Sequence, residues 1–234
     1  MPLREWDPMR VGRVVAALAD GEHDPQQSLC AASARVVGVS HAGVLLMLRG
    51  RALGTVCVSD PVAKAVEDAQ YTSGEGPCVD AYRTQLPVFA PDLADPSETQ
   101  WAGFRHGALA AGVRAAFGFP IWVGTVCIGA LDLYQDAAGG LTEEQCADAL
   151  VVASVAGRTV LGWQSVAGSG SLAWQLEHVP ADRAVVHQAA GMASVQASVS
   201  VEDAMLLLRA YAFAEDRPIS AVATDVVTRR LRFD

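Results

Sequence analysis

Lysine is almost missing from this chain of 234 residues, with Lys64 standing alone. The other basic residues are arginines, and 17 basic side chains face 26 acidic ones for a formal net charge of −9. That balance argues against a protein that coats nucleic acid or an anionic membrane nonspecifically, and leaves recognition through one local patch. No run reaches the roughly 18 consecutive apolar residues that a membrane-spanning helix needs, because the apolar stretch 42–48 stops at Arg49. Met1–Asp7 lacks the apolar core of a signal peptide, so a cytoplasmic protein is expected. The cysteines at 30, 57, 78, 127 and 146 form no CxxC pair, and no histidine stands at zinc-ligand spacing. Neither a metal nor, in that compartment, a disulfide is expected. Gly168-Ser169-Gly170-Ser171 lacks the lysine and the preceding strand of a phosphate-binding loop. No cofactor signature is present, and no Ser-His-Asp set announces itself.

What the chain does have is apolar residues, 51% of the total against 18% charged, enough for a packed core. Helical periodicity marks 10–18 and 26–37. Two extended runs, 42–48 and 52–58, are broken at Arg49-Gly50 and read as a hairpin. A helix over 61–70, the breaker-rich loop Thr72–Cys78, a short helix beyond it and a brief strand at 87–90 follow. Residues 101–112 read as a helix, and 114–122 with 125–134 as a second hairpin turning at Val123-Gly124. Thr142-Glu143-Glu144-Gln145 has the form of a capping box, which starts a helix running to about Gln164. The seam of that helix, at 146, 149, 153, 156, 160 and 163, suits either its own sheet or a dimeric coiled coil. The sum is an α+β unit, one antiparallel sheet flanked by helices.

In this unit, Gly74-Glu75-Gly76-Pro77-Cys78, Pro87-Val88 with Asp92 beyond, Trp101, Gly112-Val113-Arg114, Pro120-Ile121 and Ile128-Gly129-Ala130-Leu131 occur in an order that resembles a GAF domain over residues 24–165. The resemblance implies a ligand pocket between the sheet and the segment 71–112. Candidate lining residues are Tyr71, Cys78, Phe89, Trp101, Phe104, His106 and Trp122, each of which is otherwise ordinary core. Glu75 and Asp92 are candidates for holding a polar ligand, or are simply caps. A few proteins of this fold are thiol reductases, which makes Cys78, beside Gly-Glu-Gly-Pro, the one cysteine with a setting for catalysis. Buried cysteine usually behaves as a small hydrophobe, so no enzymatic activity is expected.

The last fifty or so residues form a different pattern. Apolar residues recur at 201, 204, 205, 208, 211 and 212, and again at 219, 222, 223, 226 and 227, with helical period. Ser200 with Asp203 makes a capping-box-like start, and Pro218 suits the first turn of a last helix. An all-α three-helix bundle follows. Gln188, Ala189 and Gly191, then Ala204, Leu208, Arg209, Tyr211 and Ala212, then Ala223 and Val227, resemble the ANTAR family over 180–234. That resemblance implies binding of RNA hairpins in nascent transcripts by a homodimer, with control of transcription termination. Gln188, Arg209, Tyr211, Arg217, Arg229 and Arg230 would carry the contact through stacking and phosphate attraction. Many members have Lys where this chain has Ala190, and the module's arginines are matched by equally many acids. A protein-interaction module that keeps the helices without RNA therefore stands as the alternative. The expected organisation is a sensor over 1–166, a Gly/Ser-containing linker over 167–179 with Trp174 and Leu176 docked between the domains, and an output module over 180–234. A small molecule of unknown identity is the sensor's expected partner.

Overall fold

The computed structural model describes residues 8–19, 25–48, 51–166 and 181–233. The expected turn at Arg49-Gly50 and the expected linker, with Trp174 and Leu176, lie outside the described residues. Five strands, β1 (His41–Leu48), β2 (Arg51–Val58), β3 (Val88–Ala90), β4 (Ala115–Val123) and β5 (Val126–Gln135), form one antiparallel sheet in the order β2-β1-β5-β4-β3.

One face of this sheet is covered by α1 (Pro8–Ala19), α2 (Pro25–Val37) and α6 (Glu143–Val166). Period-two alternation sends Val44, Phe117, Phe119, Ile121, Leu131 and Leu133 to that face, where they meet Leu29, Val37, Val152 and Ala156 in one core. α6 opens with a reciprocal capping box: Gln145 N–H donates to Thr142 Oγ1 at 3.2 Å, and Thr142 N–H to Gln145 Oε1 at 3.0 Å. Its small residues Ala149, Ala153 and Ala156 are buried against the chain's own sheet. Asp148 of α6 is nearly buried and ion-pairs with Arg10 and Arg13, which fastens α1. Cys30 of α2 and Cys57 of β2 are disulfide-bonded, with Cα atoms 5.8 Å apart. The expectation of no disulfide is therefore corrected. Spacing alone hides the pair, because 27 residues separate the two cysteines and only the packing of α2 on the sheet brings them together.

The other face carries α3 (Pro61–Ser73), α4 (Pro77–Thr84) and α5 (Ala102–Ala110). Asp60 caps α3 by accepting from Val62 and Ala63 N–H, and Gly74 closes the helix at φ 70°, a left-handed conformation that suits glycine. α4 lies so close to β4 that a Cβ at Gly118 would fall 2.5 Å from the Pro77 carbonyl oxygen.

Three further helices, α7 (Ala181–Ala197), α8 (Val201–Ala214) and α9 (Ile219–Val227), pack around Val186, Ala189, Ala190, Leu208, Ala212, Val222 and Val226. Ser200 Oγ accepts from Asp203 N–H at 3.0 Å as expected, while Pro218 stands at the N-cap of α9 and not within its first turn. Tyr71 of α3 belongs to this same apolar cluster. The C-terminal helices thus dock onto the α3 side of the sheet.

Candidate functional site

The face of α3 that looks inward and along the sheet repeats at 67, 70, 71 and 74, the spacing of one helical stripe. Glu67 and Gln70 are both 1% exposed and point into the sheet. Beneath them is Asp132, in β5 opposite Gly43 of β1. Gly43 leaves room for the Glu67 carboxyl: a Cβ there would sit 2.3 Å from Glu67 Oε1, which would have to shift. Tyr134 O–H donates to Glu67 Oε1 at 3.1 Å, and Gln70 Nε2 reaches Asp132 Oδ2 at 3.5 Å while its Oε1 accepts from Cys78 N–H at 3.2 Å. Burial pushes the Asp132 carboxyl well above its ordinary range, and the nearby Glu67 adds to the shift. Burial raises Glu67 as well, against hydrogen bonds from Asp132 and Tyr134 and the charge of Arg183.

Above this buried cluster lies a cavity of about 220 Å³ between the α3 side of the sheet and the C-terminal helices. Its floor is Leu45, Met47, Gln70, Tyr71, Gly74 and Val79, and its roof is His187 of α7 with Glu202, Met205, Leu206 and Arg209 of α8. Arg183, at the start of α7, lays its guanidinium 4.4 Å from the Tyr71 ring centroid and donates to Thr55 Oγ1 at 2.6 Å. Arg209 approaches the Tyr71 carbonyl at 3.5 Å and rests on Gly74, where a Cβ would come within 2.4 Å of the guanidinium. Phe213 lies against Gly103 of α5.

The seven residues expected to line one pocket do not converge, which corrects that expectation. Of the seven, Tyr71 alone lines the cavity beneath the C-terminal helices. Cys78 is fully buried beneath it, and burial plus the neighbouring Asp132 and Glu67 push its thiol well above the ordinary value. That is the reverse of what a nucleophilic thiolate needs. Phe104 is core, and Trp101 at φ 53° donates its indole N–H to Asp80 at 2.9 Å, tying α5 to α4. Phe89 lies on the exposed edge strand, edge-on to Phe117 and Phe119. His106 is exposed in a second groove between α5 and α8, 3.9 Å from Asp216. Trp122 is half-buried near the end of β4. Glu75 accepts from Gly103 N–H at 2.7 Å and so caps α5, and Asp92 accepts from Arg114 and from Ala94 N–H.

Of the residues expected to face RNA, Gln188 and Arg229 come together with Arg232, Met192, Val195 and Gln196 along an open groove on the C-terminal helices. Arg217 and Arg230 both ion-pair with Asp225, at 2.6 and 2.9 Å. Tyr211 packs edge-on against Phe233, with ring centroids 5.8 Å apart. Ala190 is fully buried in the helical core, so this position does not face solvent at all. Sequence reasoning missed Glu67, Gln70, Asp132 and Arg183. The i, i+3, i+4 stripe on α3 was the available signal for the first two. Among the described residues no group of three or more His, Cys, Asp or Glu side chains is placed to hold a metal ion, and no helix is long and apolar enough to cross a membrane.

The GAF domain family matches residues 19–160, more than half of the chain. The chain belongs to the GAF domain family. The GAF domain of a phosphoenolpyruvate-protein phosphotransferase from Acinetobacter superposes with a TM-score of 0.50 at 10% identity, over 68% of this chain and 95% of that one. A GAF domain of a phosphoenolpyruvate-protein phosphotransferase from Coxiella burnetii gives 0.45 at 12% identity, over 66% and 95%. The type II free methionine-R-sulfoxide reductase of Thermoplasma acidophilum gives 0.44 at 13%, over 64% and 95%. No curated protein sequence matches the chain. GAF domains are typical signal-sensing regulatory modules, and the Acinetobacter likeness supports the fold alone.

Proposed function

We propose that this protein is a cytoplasmic signalling regulator. Its GAF domain senses a small molecule or partner, and its C-terminal helices bind RNA hairpins of a nascent transcript, as a homodimer, to control termination. The observation that carries the reading is the docking of the helical unit on the sensor. Tyr71 of the GAF domain sits in the helical core, and Arg209 of α8 rests on Gly74 at the end of α3. An event at the sensor face is thereby felt by the output unit, and the ligand acts by shifting the population of docked and released forms. The surface best suited to RNA is the groove with Gln188, Arg229 and Arg232, where guanidinium groups flank an amide and apolar side chains. Arg209, turned toward the sensor, becomes available only on release.

The test is titration of the full chain with a labelled paired-hairpin RNA at two salt concentrations, beside a loop-scrambled control. Saturable binding that is lost on scrambling and weakened by Arg229→Ala with Arg232→Ala is expected. Its absence both in the docked chain and in a released variant sinks the RNA reading. A second reading, a protein-interaction unit without RNA activity, is favoured by two features. Asp225 occupies both Arg217 and Arg230, and Leu206 and Phe213 of α8 are 60% and 67% exposed. Affinity for a protein partner with none for RNA would select it. The pushed-up thiol of Cys78 speaks against a thiol-reductase reading.

A further inference from the structure

Arg183 is an odd residue for its position. It stands in the first turn of α7, where the positive end of the helix dipole disfavours a cation. It is nonetheless 3% exposed, seated between β2 and α3. What holds it belongs to the GAF domain: the face of Tyr71 at 4.4 Å, the hydroxyl of Thr55 at 2.6 Å, and the field of Glu67, whose carboxyl it helps to keep from rising further. An aromatic face, an oxygen acceptor and a nearby carboxyl are the groups that recognise a guanidinium or a small ammonium ion. The fit of the tethered side chain is incomplete. Arg183 Nη1 is buried without a hydrogen-bond partner among the described residues, whereas the Glu67 and Asp132 carboxyls, both raised in pKa, hydrogen-bond each other. Buried polar groups are ordinarily satisfied, and the unused donor of Arg183 marks a seat that its tethered guanidinium fills imperfectly.

We infer that this seat is a binding site for a small organic cation, a guanidinium or primary ammonium compound, and that Arg183 is its tethered occupant. The free cation and Arg183 compete for the Tyr71 face and the Thr55 hydroxyl. Only the free ion is at liberty to move toward Glu67 and Asp132, because Arg183 is held by its helix. When the cation takes the seat, α7 loses its anchor on the sensor, and Arg209 leaves Gly74 with it. The inference gives a ligand class to the sensing half of the proposed function and rests on that reading only for what release achieves.

The experiment is calorimetric titration of the full chain with ethylguanidinium, and with neutral ethylurea of the same shape, in the wild type and in Arg183→Ala. No RNA is present, so a failure of RNA binding leaves the result untouched. Vacating the seat is expected to tighten ethylguanidinium binding by about tenfold or more, the equivalent of one aromatic-cation contact no longer contested. Ethylurea binds neither protein, and Glu67→Gln in the Arg183→Ala background removes about the same factor again. In the wild type, saturating ethylguanidinium enlarges the radius of gyration measured by small-angle scattering, as Arg183→Ala does without ligand. Should Arg183→Ala melt too low for titration, ethylguanidinium raises its Tm in a saturable way and ethylurea does not. A folded Arg183→Ala chain that binds no ethylguanidinium, or binds ethylurea as well, overturns the proposal. So does an unstable one that the cation fails to rescue.

Discussion

The two faces of the sheet are built from the same five strands and differ in almost everything else. Toward α1, α2 and α6 the strands present Val44, Phe117, Phe119, Ile121, Leu131 and Leu133, an apolar layer closed by helices of small residues. Toward α3 and α4 they present Gly43, Asp132 and Tyr134, and the helix above adds Glu67 and Gln70. A dry face gains from every methylene buried and has one good arrangement. A face with two buried, mutually hydrogen-bonded carboxyls is held less decisively, and its state depends on their protons. The first face holds the domain together. The second faces the C-terminal helices.

The comparison breaks most visibly if the dry face proves soft. Phe119→Ala is expected to destabilise the chain by about 3–5 kcal/mol in urea unfolding, the range for an aromatic truncated in a closed core. Phe119 is fully buried. A loss below about 1 kcal/mol, the level of a surface change, would deny that this face is the structural one. Next in size is the Cys30–Cys57 bond, on the same side. Closing a loop across 27 residues of separation restricts the unfolded chain by about 3.5 kcal/mol in the entropic account. Cys30→Ala is expected to lose roughly that amount, about 3.5 kcal/mol, under oxidising conditions. Adding reductant should bring the wild type down to the variant and leave the variant unchanged.

The dry face was largely legible in the sequence. Its strands alternate, its helices carry regular apolar stripes, and the Thr142–Gln145 capping box announces α6 at the residue where it starts. The polar face was not. Asp132 sits in an apolar strand, where one acid reads as an outward residue, and only the register opposite Gly43 shows that it points into the sheet beneath α3. Aromatic type was also a poor guide to the site: Trp101 and Phe104 hold α5 in place, and Phe89 lies at the sheet edge. Arg183 escaped because its partners, Thr55 and Tyr71, lie more than a hundred residues away in the chain. At the C-terminus the helical periods marked the last two helices, but could not say that Ala190 faces inward or that Arg209 faces the sensor.

Acidity separates the faces more gently. Asp132 and Glu67 both have folded-state pKa values raised, chiefly by burial. A raised group keeps its proton more readily folded than unfolded, so its contribution is full below the unfolded value near pH 4 and is lost as pH rises through the folded value. Asp132→Asn is therefore expected to flatten the fall in stability from about pH 4 upward, measured as urea midpoints across a pH series. His41 provides a second arm of the same sign. Burial alone would lower it, but hydrogen bonds to Asp60 and Asp136, both 2.8 Å, outweigh that and raise it. Its contribution is lost from about pH 6.5 upward, and His41→Gln should remove that arm only. If Asp132→Asn leaves the acid arm intact, the carboxyl pair is not the proton-sensitive part of this face.

The smallest effect decides what the Gly74-Glu75-Gly76-Pro77-Cys78 loop is for. A carboxylate in a loop invites assignment as a ligand contact, yet Glu75 Oε1 accepts from Gly103 and, at 3.4 Å, from Phe104 N–H. Those are first-turn donors of α5, which lack partners within their own helix. A carboxylate there also meets the favourable end of the helix dipole. Glu75→Ala is accordingly expected to lower stability by about 1 kcal/mol, as for a lost cap, and to leave the ethylguanidinium affinity where it was. Thermal melts and the same titration read both quantities. A changed affinity with unchanged melting would move Glu75 from the scaffold into the site, and would extend the polar face across the loop toward α5.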